Sequence, residues 1–192
     1  MADVIQKIAE ELSVADRQVQ AAVTLLDEGA TVPFVARYRK EVTGGLDDTQ
    51  LRNLSERLDY LRELEARRAT IFDSIKSQDK LTDALAASIA KAETKAQLED
   101  IYLPYKPKRR TKAMIARENG LEPLADAILE NRSSEPEALA VGYLSEAVAT
   151  AKDALNGARD ILVERMTENA ALLGRLRAFL QAEARLTAKV IE

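Results

Sequence analysis

The chain has 192 residues, of which 46% are hydrophobic and 31% charged, with a formal net charge of −4. It contains no cysteine and no histidine, which excludes disulfides, thiol chemistry, His-based triads and the usual zinc ligand sets. No stretch approaches the roughly 18 apolar residues of a membrane-crossing helix, so no membrane partner is expected.

Helix formers dominate, with only 7 Gly and 5 Pro, and the composition predicts an all-α protein. The opening M-A-D-V-I-Q-K-I-A-E-E carries acids and no long apolar run. It is not a signal peptide, and a cytoplasmic protein is expected. Val4, Ile5, Ile8 and Leu12 fall on one side of a first helix over 3–12. Ser13 is expected to open a capping box with Asp16, starting a second helix with Val19, Ala22, Val23 and Leu26 inward. Gly29 ends it. A third helix begins near Pro33, which is tolerated in a first turn, with Phe34 and Val35 inward. Three short helices in succession suggest a helix-turn-helix-like subdomain over 1–46, a spacing that any small bundle also produces. A second division, 47–192, holds the rest.

Arg37, Arg39 and Lys40 surround Tyr38 in this third segment. Two readings stand: charge that favours the helix dipole, or a ligand contact. Gly44-Gly45 breaks the chain, and Asp47 or Asp48 caps the next helix. This helix, the longest, is predicted from about Asp48 to Ser77, striped by Leu51, Leu54, Leu58, Leu61, Ile71 and Ile75. The stripe has a gap at Glu65 and Arg68, where a break is to be looked for. The gap favours intramolecular packing over a dimeric coiled coil, hence a monomer.

Shorter elements come after it. Asp83–Lys91 is a helix. Thr94 and Gln97 cap the next one, which Leu103-Pro104 ends. Thr111 opens another, closed by Asn119-Gly120, and Leu121-Glu122-Pro123 opens one with Leu124, Ile128 and Leu129 inward. Further helices are predicted from Glu135-Pro136 to about Tyr143, over about Ala147–Thr167, and beyond an Asn169 cap with Leu172, Leu173, Leu176, Phe179 and Leu180. The expected fold is an irregular bundle of about ten helices around one long central helix. No fixed-period repeat stands out, and only the last residues, L-T-A-K-V-I-E, depart from the helical pattern.

A charge anomaly interrupts this series. Ile101 to Arg117 holds no Asp or Glu but six cations: Lys106, Lys108, Arg109, Arg110, Lys112 and Arg117. The segment L-P-Y-K-P-K-R-R-T-K-A is stiffened by two prolines. Arg109 and Arg110 suit paired hydrogen bonds to phosphate. The competing readings are a solvated loop and salt bridges to acidic helices of a neighbouring domain. Five phosphate contacts from Lys106 to Lys112 would give a salt slope of at most about −4.5 on duplex. Tyr38, Tyr102 and Tyr105 are expected to serve the core, since an aromatic content of 4% is low for a stacking surface.

No nucleotide-binding glycine motif, calcium loop or convergent carboxylate set appears. No cofactor, no metal and no catalytic residue are assigned, and a non-enzymatic protein is expected.

Three segments carry a resemblance: G-A-T-V-P-F-V-A-R-Y-R-K-E-V-T-G-G-L (Gly29–Leu46), L-E-D-I-Y-L-P-Y-K-P-K-R-R-T-K-A (Leu98–Ala113) and A-L-N-G-A-R-D-I-L-V-E-R (Ala154–Arg165). They resemble the amino-terminal region of the bacterial Tex family, the RNA-binding transcription accessory proteins. The resemblance implies a helical region that precedes a YqgF (RuvC-like) fold, helix-hairpin-helix elements and an S1 domain. It implies transcription machinery, RNA or DNA, and those downstream domains as partners. Arg37, Arg39, Lys40 and the Lys106–Lys112 stretch are carried as family signature residues. The expected role is a scaffold with auxiliary, weak and sequence-independent phosphate contacts. The alternative is a docking scaffold that touches no nucleic acid.

Overall fold

The computed structural model describes residues 2–131, 133 and 135–188. The predicted L-T-A-K-V-I-E departure lies outside them from Lys189 on, and its first three residues are not helical. Among the described residues there are eleven α-helices and no strand, only an isolated bridge between Ser145 and Val148. The chain divides into two units, Met1–Leu81 and Thr82–Glu192.

In the first unit α1 (Ala2–Leu12), α2 (Asp16–Asp27) and α3 (Val32–Tyr38) pack on α4 (Asp48–Lys76). The join between α1 and α2 differs from the sequence expectation. Ser13 has φ of 54° and closes α1, with Val14 N–H donating to Ala9 C=O at 3.0 Å, as in a left-handed helix terminus. The cap of α2 falls to Ala15, whose N–H is held by Gln18 Oε1 at 3.0 Å. Gln18 also donates through Nε2 to Gly44 C=O at 2.8 Å. One side chain therefore ties the start of α2 to the glycine turn that separates α3 from α4. Gly44 sits at φ of 65° with the Gln18 side chain 3.1 Å from where a Cβ would be, so both backbone and space call for glycine.

Asp47 caps α4, accepting from Gln50 N–H at 2.7 Å, while Gln50 Oε1 accepts from Asp47 N–H at 3.0 Å. This is a reciprocal box. α4 runs unbroken for 29 residues. The apparent gap at Glu65 and Arg68 closes because Leu64 is buried, and Leu51, Leu54, Leu58, Leu61, Ile71 and Ile75 are buried with it. Two bidentate pairs brace the helix: Arg57 on Glu11 of α1 and Arg62 on Asp27 of α2, all at 2.6–2.7 Å. The guanidinium of Arg62 holds the Asp27 carboxyl below its ordinary range.

The second unit contains α5 (Asp83–Lys91), α6 (Lys95–Tyr102), α7 (Lys112–Glu118), α8 (Glu122–Glu130), α9 (Pro136–Ala140), α10 (Ala151–Thr167) and α11 (Ala170–Glu183). α10 is its hub and packs on α7, α8, α9 and α11. Small residues make this possible. Ala154, Ala158 and Ile161 of α10 meet Ala113 and Ala116 of α7 and Leu121, Leu124 and Ala125 around α8. Gly157 lies so close to α7 that an added Cβ would stand 2.3 Å from Leu121 Cδ1 and 3.2 Å from Ala116 Cβ. Leu129, expected inward, is exposed, since α8 spends its inner face on Leu124, Ala125 and Ile128. α11 buries no residue fully. It reaches α6 through Arg177, which donates to Asp100 at 2.9 Å.

Candidate nucleic-acid interface

The basic connection is built from its two ends. Thr94 caps α6, accepting from Gln97 N–H at 3.2 Å, and the helix ends in a 3-10 turn over Leu103–Tyr105. Pro104 has no N–H to continue the ladder and fits the first turn of that short element. The backbone is extended at Lys106 and re-enters helix at α7, where Thr111 Oγ1 accepts from Met114 N–H at 3.1 Å.

Two of the cations between these ends are consumed within the unit. Lys108 is four-fifths buried and pairs with Glu168, and its Nζ lies 3.7 Å from Glu164 Oε1. Arg110 is exposed and pairs with Glu118. Lys106, Arg109 and Lys112 are exposed, and among the described residues no ion pair engages them. The segment is thus neither a wholly solvated loop nor a strip of free charge: it is pinned at Lys108 and turned outward on either side.

The pin belongs to a longer chain of charges. Glu164 accepts from Thr111 Oγ1 at 3.1 Å and from Arg117 Nη1 at 2.5 Å. Arg117 also reaches Glu122 at 3.3 Å, and Glu122 accepts from Arg165 at 2.8 Å. Arg165 ends the series on Asp126 at 2.5 Å. Burial pushes the Glu164 carboxyl up, but Arg117, Thr111 and Lys108 together hold it below its ordinary value. Glu122 is held low chiefly by Arg165. The pairs in turn raise Arg117 and Arg165. Sequence reasoning missed Glu164 and Glu168. Their four-residue spacing puts both on one side of the end of α10, where Glu168 is the C-cap, and that was the available signal.

The smaller cluster lies in the first unit. α3 is held by Val35, which is fully buried. Phe34, expected inward, is 41% exposed, and Tyr38, expected in the core, is 55% exposed. With seven residues α3 buries one narrow face, and Phe34 and Tyr38 sit one turn apart on another. Their rings lie 5.4 Å apart at 47°, and the Arg39 guanidinium stands 5.3 Å over Phe34. Arg37, Arg39 and Lys40 are exposed and make no ion pair among the described residues. Tyr102, in contrast, is buried as expected.

No group of three or more His, Cys, Asp or Glu placed to hold a metal occurs among the described residues, and none of their helices is long and apolar enough to cross a membrane.

An all-helical region with one long helix and two basic surfaces is the class these features define. Residues 2–76 match the Tex-like protein N-terminal domain and residues 131–192 match the Tex central region. The chain is 60% identical over 190 residues to an uncharacterized protein of Neisseria meningitidis serogroup B, covering 99% of this chain and 25% of that protein. It is 58% identical over 185 residues to the transcriptional accessory protein Tex of Neisseria gonorrhoeae, covering 96% and 24%. It is 58% identical over 193 residues to the protein tex of Bordetella pertussis, covering 100% and 24%. The chain belongs to the Tex family, and it spans about a quarter of the length of these relatives.

Proposed function

We propose that this region is a non-catalytic scaffold of a cytoplasmic transcription accessory protein, adding weak, sequence-independent phosphate contacts to RNA or DNA. The transcription machinery and the downstream domains implied by the resemblance are its other partners, and the region itself is monomeric. The observation that carries the reading is the arrangement around Lys108. Its pairing with Glu168 fixes the backbone, and Lys106, Arg109 and Lys112 are exposed with no ion pair among the described residues. A surface ordered in advance loses less entropy on binding. The −10 carried by the rest of the chain beyond the Ile101–Arg117 window keeps the affinity low through long-range repulsion.

With Lys108 anchored on Glu168 and Arg110 paired with Glu118, three contacts replace five. The slope of log K against log salt on duplex is then about −2.7, or about −2.1 on a single strand. Replacing Lys106, Arg109 and Lys112 together by Glu removes most of that slope and leaves the melting temperature within about 1 °C, because none of the three braces the fold. Unchanged binding in this variant would exclude the connection as the contact surface. One observation favours the docking alternative: α11 exposes Leu176, Phe179 and Leu180, an apolar face suited to other domains of the longer protein.

A further inference from the structure

Phe34 and Tyr38 are the anomaly of the first unit. A short helix beside a hydrophobic core gains most by hiding its rings, yet α3 buries Val35 and leaves both rings open. They line an open groove of about 670 Å³ with Pro33, Ala36, Arg37, Asp48 and Arg52. Its charge leans positive. Between Val32 and Gly45 there are three cations, Arg37, Arg39 and Lys40, against the single acid Glu41. Arg52 is occupied by Asp48 at 2.7 Å. Arg39 is steered by a bond from its Nη1 to Tyr38 C=O at 3.0 Å and covers one face of Phe34. Tyr38 is the more open of the two rings.

Flat rings flanked by unpaired guanidinium groups form the pattern that holds single strands. Bases stack on the ring and the cations track the backbone. A protein surface would meet the same rings but would have to leave Arg37 and Lys40 unpaired or bring acids to them. A single strand supplies planar faces and anions together at each nucleotide. We propose that α3 is a stacking platform for single-stranded nucleic acid, with one base lying on Tyr38 and the adjoining phosphates held by Arg37, Arg39 and Lys40. This rests on the reading that the region contacts nucleic acid, and adds that it prefers unpaired strands and reads base planes as well as phosphates.

The test uses the 192-residue chain and two fluorescent probes, an oligothymidylate about twelve nucleotides long and an abasic oligomer of equal length, which keeps the phosphates and lacks the bases. The expected result is about ten-fold tighter binding of the oligothymidylate. Tyr38→Leu removes that preference, and Tyr38→Phe, which keeps the ring, preserves it. The chain has five tyrosines and no tryptophan, so quenching of tyrosine emission by the oligothymidylate, lost in Tyr38→Leu, reports the stack directly. Equal binding of the two probes by the unaltered chain would overturn the platform and leave the phosphate reading standing. A base preference that survives both Tyr38→Leu and Phe34→Leu would overturn α3 as its location. Failure to bind either probe at low salt would overturn the phosphate reading and the platform together. Tyr38 is exposed, so unchanged helical content in each variant is expected and is checked by circular dichroism.

Discussion

The Lys106–Lys112 connection and the short helix α3 look alike as text, since each strings basic residues beside a tyrosine. Folded, they differ in what stands opposite. The connection faces the end of α10, where Glu164 and the C-cap Glu168 take up Lys108, and its flanking Tyr102 is buried. Among the described residues no acid engages Arg37 or Lys40, and Tyr38 of α3 is open. Local composition therefore gives the charge of a segment, and tertiary context decides how much of it is left for a ligand. In the connection part of the charge has become structure. In α3 nearly all of it remains on the surface.

The largest effect that would sharpen this contrast comes from Glu164→Ala. It leaves Arg117 with Glu122 alone and Lys108 with Glu168 alone, and takes from the Thr111 hydroxyl its acceptor. Hydrogen bonds to charged groups are worth about 1.5–3 kcal/mol each, and partial exposure of the partners discounts this. A loss of about 2 kcal/mol is expected in the second unit, read by hydrogen exchange in α7 and α10. If exchange there is unchanged, the charges gathered on Glu164 are not structural and the contrast with α3 fails.

Gly157→Ala attacks the same region through packing. A helix interior gains about 1 kcal/mol from Gly to Ala, but overpacking costs about 1–3 kcal/mol, and the added methyl meets Leu121 Cδ1 at 2.3 Å inside the core. A net loss of about 1 kcal/mol is expected. Gly174→Ala is the control: no atom lies within 4 Å of its Cβ position, so the helix gain stands alone and thermal stability rises.

Acid gives a smaller and more graded signal. Glu164 and Glu122 titrate below their ordinary range in the fold, so the folded state binds fewer protons than the unfolded one. Their stabilisation is complete above the unfolded glutamate pKa of about 4.3 and is lost as pH falls through the lowered folded values. A melting temperature flat from neutral pH to about 5, falling below that, is the expected profile. The acid limb should be shallower in Glu164→Ala.

Much of this was readable in advance. The capping residues Asp47, Thr94, Thr111 and Asn169 announce their helices, and each accepts the predicted backbone N–H. Leu and Ile spacing marks the buried side of α4. Reading failed where two signals competed at one position. Ser13 has the chemistry of an N-cap, but α1 needed a left-handed terminus first. Phe34 has the hydrophobicity of a core residue, but α3 has room to bury only one face. The partners of Lys108 and Thr111 lie more than fifty residues further along the chain, beyond the reach of any local pattern.

The smallest expected effect is the most telling for the comparison. Arg37→Ala with Arg39→Ala removes two cations from α3. Arg37 makes no ion pair among the described residues, so its loss is worth no more than an ordinary surface change, within about 0.5 kcal/mol. Arg39 loses its position over Phe34, which at an exposed site is worth about 0.5–1 kcal/mol. The carbonyl of Tyr38, which accepts from Arg39, returns to water at little cost. The sum is at most about 1.5 kcal/mol, below the expected loss from Glu164→Ala, although two charges are deleted instead of one. A larger loss would mean that α3 relies on these side chains for its fold, and its rings and cations would then be structure, as Lys108 is. A loss this small, with weakened binding to single strands, marks charge held on the surface at almost no benefit to stability.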